Sequence, residues 1–79
     1  DEKWRRCIRG LRAVVKQRRL TQAAVADGAV VNRSIMSMFF NGKGYVSRRT
    51  IENILQWLCS LEPPVDEAVR LEFERALVE

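Results

Sequence analysis

The stretch that most limits what this chain can become is residues 20 to 43, LTQAAVADGAVVNRSIMSMFFNGK. Two short apolar-patterned segments meet there across a break, and the whole reads as a helix-turn-helix, about residues 21 to 41, with a closing loop. Thr21 suits the N-cap of the first helix, its hydroxyl placed to accept from an otherwise orphan backbone N–H. Asn32 suits the cap of the second, which spans residues 32 to 40. At about 100° per residue, Asn32, Met36, Phe39 and Phe40 gather on one side of that second helix. Arg33, Ser34, Ser37, Met38 and Asn41 gather on the other. One face is apolar enough to rest on a core, while the other carries short donors and one arginine. A division of this kind suits a helix laid in the major groove of DNA, where side chains must reach base edges without bulk. An ordinary amphipathic helix with a solvated polar face shows the same pattern, and both readings stand at this point.

With 79 residues, residues 1–79 make one domain, near the lower size limit for a core without a staple. A hydrophobic fraction of 47% makes such a core feasible and disorder unexpected. The absence of His and the presence of only two Cys exclude a zinc finger and a His-based catalytic site. Cys7 and Cys59 both fall at apolar helical positions and are expected as buried free thiols rather than a disulfide or redox switch. No nucleophile is paired with a base, so an enzyme is not expected, nor a cofactor, a metal or a small-molecule substrate. No long apolar run and no signal peptide is present, so the expected location is cytoplasmic or nuclear, with no membrane partner. The chain starts at Asp1 rather than Met, which fits a trimmed chain, a piece of something longer, or a protein whose first residues are disordered.

Charge is unevenly spread. Residues 1 to 50 carry twelve Lys and Arg against three Asp and Glu, whereas residues 51 to 79 carry two against seven. A nucleic-acid face on an acidic body would give such a split; solvated surface charge is the alternative.

Residues 3 to 19 predict a first helix with Trp4, Cys7, Ile8, Leu11, Val14 and Val15 in one apolar stripe. Arg5, Arg9, Arg12, Lys16 and Arg19 lie across from it. Gly10 inside this helix costs about 1 kcal/mol relative to Ala and would admit a close neighbour such as the C-terminal segment. Asn41-Gly42-Lys43-Gly44 is a turn. Ser47 caps a fourth helix with Ile51, Ile54, Leu55 and Leu58 inward and Leu61 closing the stripe. Trp57 falls off that stripe and is expected over the first or the last helix. Arg48 and Arg49 in its first turn oppose the helix dipole, which points to a ligand rather than to stability. Glu62-Pro63-Pro64 stops the helix. Residues 65 to 79 form a last, acidic helix with Val69, Phe73, Ala76 and Leu77 on its apolar side. Ile35, between the faces of the reading helix, is expected at the edge of the core, with contact to a thymine methyl as the other option.

Thr21-Gln22, Val25-Ala26, Val31, Arg33-Ser34 and Phe40-Asn41-Gly42-Lys43 together resemble the phage repressor and Cro group of XRE-type helix-turn-helix proteins. The runs VAD at 25 to 27 and FNG at 40 to 42 look most like the lambda-type repressor domain. The two helices of the pair match without a gap, and the resemblance extends from about Leu11 to Leu58, roughly 48 of the 79 residues. It implies an all-α, compact five-helix lambda repressor-like DNA-binding domain that reads double-stranded DNA with its third helix. Direct base contact falls to Arg33, the one exposed residue of that helix able to make a bidentate contact, with Ser34, Ser37 and Met38 beside it. Phosphate contact is carried over to Lys16, Arg18 and Arg19 near the end of the first helix, to Gln22 and Asn32, and to Asn41 and Lys43 in the loop. Tyr45 either adds a phosphate hydrogen bond or packs, and Arg48 and Arg49 join the phosphate set from their place against the helix dipole. In this family the turn glycine would stand at position 30. Val30 is a poor choice for positive φ, so the first helix of the pair should end early at Gly28 or the turn should be of another type.

The leading expectation is a sequence-specific transcriptional regulator, a repressor by resemblance, cytoplasmic in a bacterium or phage host or nuclear in a eukaryote. The last helix either closes the small core over Trp4 and Trp57 or makes the two-fold contact of a homodimer on paired half-sites, the option the resemblance favours. The alternatives are a helical protein-protein interaction module, in which the polar face binds protein, and a POU-like domain of a larger eukaryotic transcription factor.

Overall fold

A computed structural model describes residues 2 to 43 and 46 to 78, with side chains from Trp4 onward. Among these residues there are five helices and no strand: α1 (Glu2–Arg18), α2 (Gln22–Ala29), α3 (Arg33–Phe40), α4 (Arg48–Cys59) and α5 (Glu67–Val78). Short polar side chains set four of the starts, each satisfying N–H groups that the helix itself leaves orphaned. Thr21 Oγ1 accepts from Ala24 N at 3.0 Å, and Asn32 Oδ1 from Ser34 N at 2.8 Å. Ser47 Oγ accepts from Thr50 N at 3.2 Å, and Asp66 Oδ1 from Ala68 N at 3.0 Å. The last cap starts α5 at Glu67, two residues later than the expected Val65.

The ends of α1, α2 and α3 share one device. A residue in the left-handed region turns the chain, and the next N–H bonds to the carbonyl five residues back. Arg19 (φ 54°) is followed by Leu20 N donating to Val15 O at 3.0 Å. Val30 (φ 57°) is followed by Val31 N donating to Ala26 O at 2.8 Å. Gly42 (φ 67°) is followed by Lys43 N donating to Met38 O at 2.9 Å. The expectation of an early end at Gly28, or of a different turn, is therefore overturned: α2 runs to Ala29 and Val30 adopts the strained conformation itself. Two helix-ending hydrogen bonds hold it there, and its side chain, 83% exposed, meets no crowding.

Gly28 lies inside α2 for a different reason. A Cβ there would run into Nε1 of Trp57 and come within 2.7 Å of its Cδ1. Trp57 thus covers α2, a neighbour that the sequence reading did not name for it. Gly10 does face the C-terminal segment, since a Cβ on it would stand 3.3 Å from Val69 Cγ1.

α1 packs on α5 and α3, α4 packs on α5 and α2, and α2 packs on α3. All five helices feed one core, with Cys7, Leu11, Val25, Met36, Phe39, Ile51, Ile54, Leu58 and Phe73 fully buried. Each large aliphatic or aromatic side chain so placed contributes roughly 1.5–3 kcal/mol relative to exposure. Gly10 opposite Val69 and Cys7 Sγ donating to Glu72 O at 3.7 Å show that α5 runs antiparallel to α1. Trp4 sits with Ile8, Met38, Phe39 and Val46 around a small recess between α1 and the end of α3. Cys7 is buried as expected, but Cys59 is exposed. It follows Leu58 at the last position of α4, one residue beyond the stripe that Ile51, Ile54 and Leu58 turn inward.

Candidate nucleic-acid interface

α2 and α3 are joined by only Val30, Val31 and Asn32, so the polar edge of α3 is carried rigidly on the core. Met36, Phe39 and Phe40 anchor α3 inward. Arg33, Ser34 and Met38 are exposed across from them, and Ser37 is half-buried. Ile35, expected at the edge of the core, is 38% exposed and Met38 40%, so that edge has an apolar component.

Arg33, the first residue of α3, is not free. Its Nε donates to Asp27 Oδ1 at 3.3 Å and its Nη2 to Asp27 Oδ2 at 2.9 Å. The hydrogen bond to Asp27, and then its charge, push the guanidinium pKa above its ordinary value. Asn32 spends its carbonyl oxygen on the α3 cap, receiving Ser34 N and also Ile35 N at 3.4 Å. Its amide NH2 is the end that can donate to a ligand. Asn41 turns its Nδ2 back onto Ser37 O at 2.9 Å, which uses one of its two N–H groups.

The flanking cations divide into two groups. Lys43, Arg48 and Arg49 are exposed in the segment after α3 and at the start of α4, and Gln22 is exposed at the start of α2. Lys16 and Arg19 are exposed at the end of α1. Arg18 is committed elsewhere: its Nη2 donates to Pro64 O at 3.1 Å, tying the end of α1 to the link before α5. Tyr45 and Gly44 lie outside the described residues.

Two features went unforeseen in the sequence. Arg12 Nη2 donates to Phe40 O, so a cation from α1 caps the negative end of α3. Nothing local couples residues 28 apart, and only the fold brings them together. Arg5, placed from sequence only on the polar side of the first helix, stands with Lys43 and Met38 at the recess beside Trp4. The Asp27–Arg33 pair did leave a signal, two opposite charges on either side of the turn.

The acidic last helix, α5, is built onto α1 and α4. Glu72 of α5 pairs with Arg6 of α1 at 3.6 Å, while Glu67 and Glu74 pair with Arg70 of α5 itself at 3.2 and 2.8 Å. Among the described residues no group of His, Cys, Asp or Glu side chains comes together to hold a metal, and no helix is long and apolar enough to cross a membrane. Compared with protein-family models, curated proteins and solved structures, the chain finds no match in any of the three.

Proposed function

We propose that this chain is a lambda repressor-like helix-turn-helix domain that binds double-stranded DNA sequence-specifically, as a transcriptional regulator of repressor type. The supporting observation is the polar edge of α3: Arg33, Ser34 and Met38 stand exposed on a helix whose other side is sealed into the core. Arg33 reads a base, Ser34, Ser37 and Met38 add shorter contacts, and Gln22, Asn32, Asn41, Lys43, Arg48 and Arg49 hold the phosphates on either side. Lys16 and Arg19 extend that phosphate track, and Arg18 joins it by exchanging Pro64 for phosphate. The two cations that begin α4 oppose its dipole when free, a cost that a bound phosphate reverses. On paired half-sites two copies would bind; Phe73 and Ala76 of α5 are spent on the internal core. The outward residues Leu71 and Val78, 37% and 85% exposed, are what α5 retains for a partner copy.

The competing reading, a protein-interaction module, draws on the exposed apolar side chains Val30, Ile35 and Met38 of the same α2–α3 unit. Titration of duplex DNA at several salt concentrations separates the two. Phosphate contacts make log K fall linearly with log salt, with a slope of about −0.9 per contact, so a steep slope supports DNA binding. Absent or salt-insensitive binding supports the protein partner.

A further inference from the structure

We infer that Asp27 is a specificity-setting residue, which clamps the Arg33 guanidinium side-on and thereby presents its other edge to a guanine. The inference rests on the DNA-reading role proposed above. A guanidinium carries five N–H groups in a planar fork. Asp27 engages Nε and Nη2, at 3.3 and 2.9 Å, which is the side edge of that fork. One N–H of Nη1 and the second of Nη2 form the end edge, and the other N–H of Nη1 points back along the side chain. That edge can make a second parallel pair of hydrogen bonds, the geometry that the O6 and N7 acceptors of guanine require.

The pair spans two helices, with Asp27 on α2 and Arg33 at the start of α3. Rotation of the arginine about its long side chain is therefore restrained from outside its own helix. Stability is not what the pair supplies. Its side chains are 68% and 62% exposed, and an ion pair so open to water adds little to folding. What it supplies is direction, and a penalty: a carboxylate beside the groove repels the phosphates of any duplex. Asp27 thus weakens binding to all DNA and sharpens the preference for the duplex that gives Arg33 a guanine. Discrimination built from such a repulsive element is a general route to specificity.

The test compares Asp27→Ala and Asp27→Asn with the unaltered chain. Each is measured by competition on random-sequence duplex, on the best selected duplex, and on its single-base variants, at several salt concentrations. In Asp27→Ala, random duplex should bind several-fold more tightly. Its salt slope should steepen by about one contact as the released Arg33 swings to a phosphate. Preference for one guanine should fall by roughly tenfold or more, and Asp27→Asn, retaining one acceptor, should fall between. Unchanged preference and slope in both variants would overturn the clamp while leaving DNA reading intact. Tighter binding with the guanine preference preserved would also overturn it, since the ion pair would then be a lock that Arg33 must leave. If the unaltered chain binds no duplex, the DNA reading fails and the clamp with it.

Discussion

The indole Nε1 of Trp57 in α4 comes up against Gly28 in α2 at the place where any larger residue would carry its Cβ. That contact sets how closely α2 approaches α4, and so how the α2–α3 unit stands relative to Arg48 and Arg49. Gly28→Ala should therefore destabilise the protein, although Ala is the better helix former by about 1 kcal/mol. The two rigid elements must separate, and overpacking of this kind costs about 1–3 kcal/mol. Urea unfolding measures it; a Gly28→Ala protein as stable as the original would show that Trp57 is free to move aside.

Val30 makes the opposite prediction. It holds a left-handed conformation (φ 57°, ψ 51°) that disfavours a β-branched side chain, and at 83% exposure it has no packing to lose. Val30→Gly should raise stability by about 1 kcal/mol, the cost of left-handed backbone relieved less the added freedom of the unfolded chain. A lower melting temperature for Val30→Gly would mean that the valine makes a contact the folded chain needs.

Helix existence was legible in the sequence because Thr21, Asn32 and Ser47 cap where short polar residues precede apolar stripes. The buried set was legible for the same reason, down to Met36, Phe39 and Phe40. The turn was misjudged because the rule against positive φ at Val30 is a local energy, and helix-ending hydrogen bonds outweigh it. The α2 neighbour of Trp57 and the exposure of Cys59 were missed because a helical stripe says which residues face inward but not which neighbour stands opposite, nor where the last turn leaves the core. The Arg12–Phe40 contact belongs to tertiary packing alone. Of the candidate interface, the exposure of Arg33, Ser34 and Met38 was legible, whereas the contacts of Asn41 with Ser37 O and of Arg18 with Pro64 O were not.

The two thiols should separate cleanly. Burial first, and then the charge of Glu72, push the Cys7 thiol up from 9.0 to about 11, whereas Cys59 is exposed. A thiol reagent at mildly alkaline pH should modify one cysteine in the native protein and both in denaturant. The shift also has a pH signature. A thiol whose pKa is raised by folding contributes stability that is fully present below about pH 9 and is lost as pH climbs through about 11. Stability should thus fall more steeply over that window in the original protein than in Cys7→Ala. Equal slopes would remove the buried thiol from the account.

Lys43→Ala and Arg49→Ala should weaken binding to every duplex alike, each flattening the salt slope by about one unit. A change in preferred sequence from either would move that residue from phosphate contact to base contact.

Reading of DNA by α3 through Arg33 is tested most directly by selecting bound sequences from random duplex DNA with the original chain and with Arg33→Ala. The original chain should enrich a motif containing a guanine, repeated as two half-sites if two copies bind. Arg33→Ala should lose preference at that guanine by roughly tenfold or more while its binding to random duplex changes far less. Failure of the original chain to enrich any sequence, or an identical motif from Arg33→Ala, would contradict it.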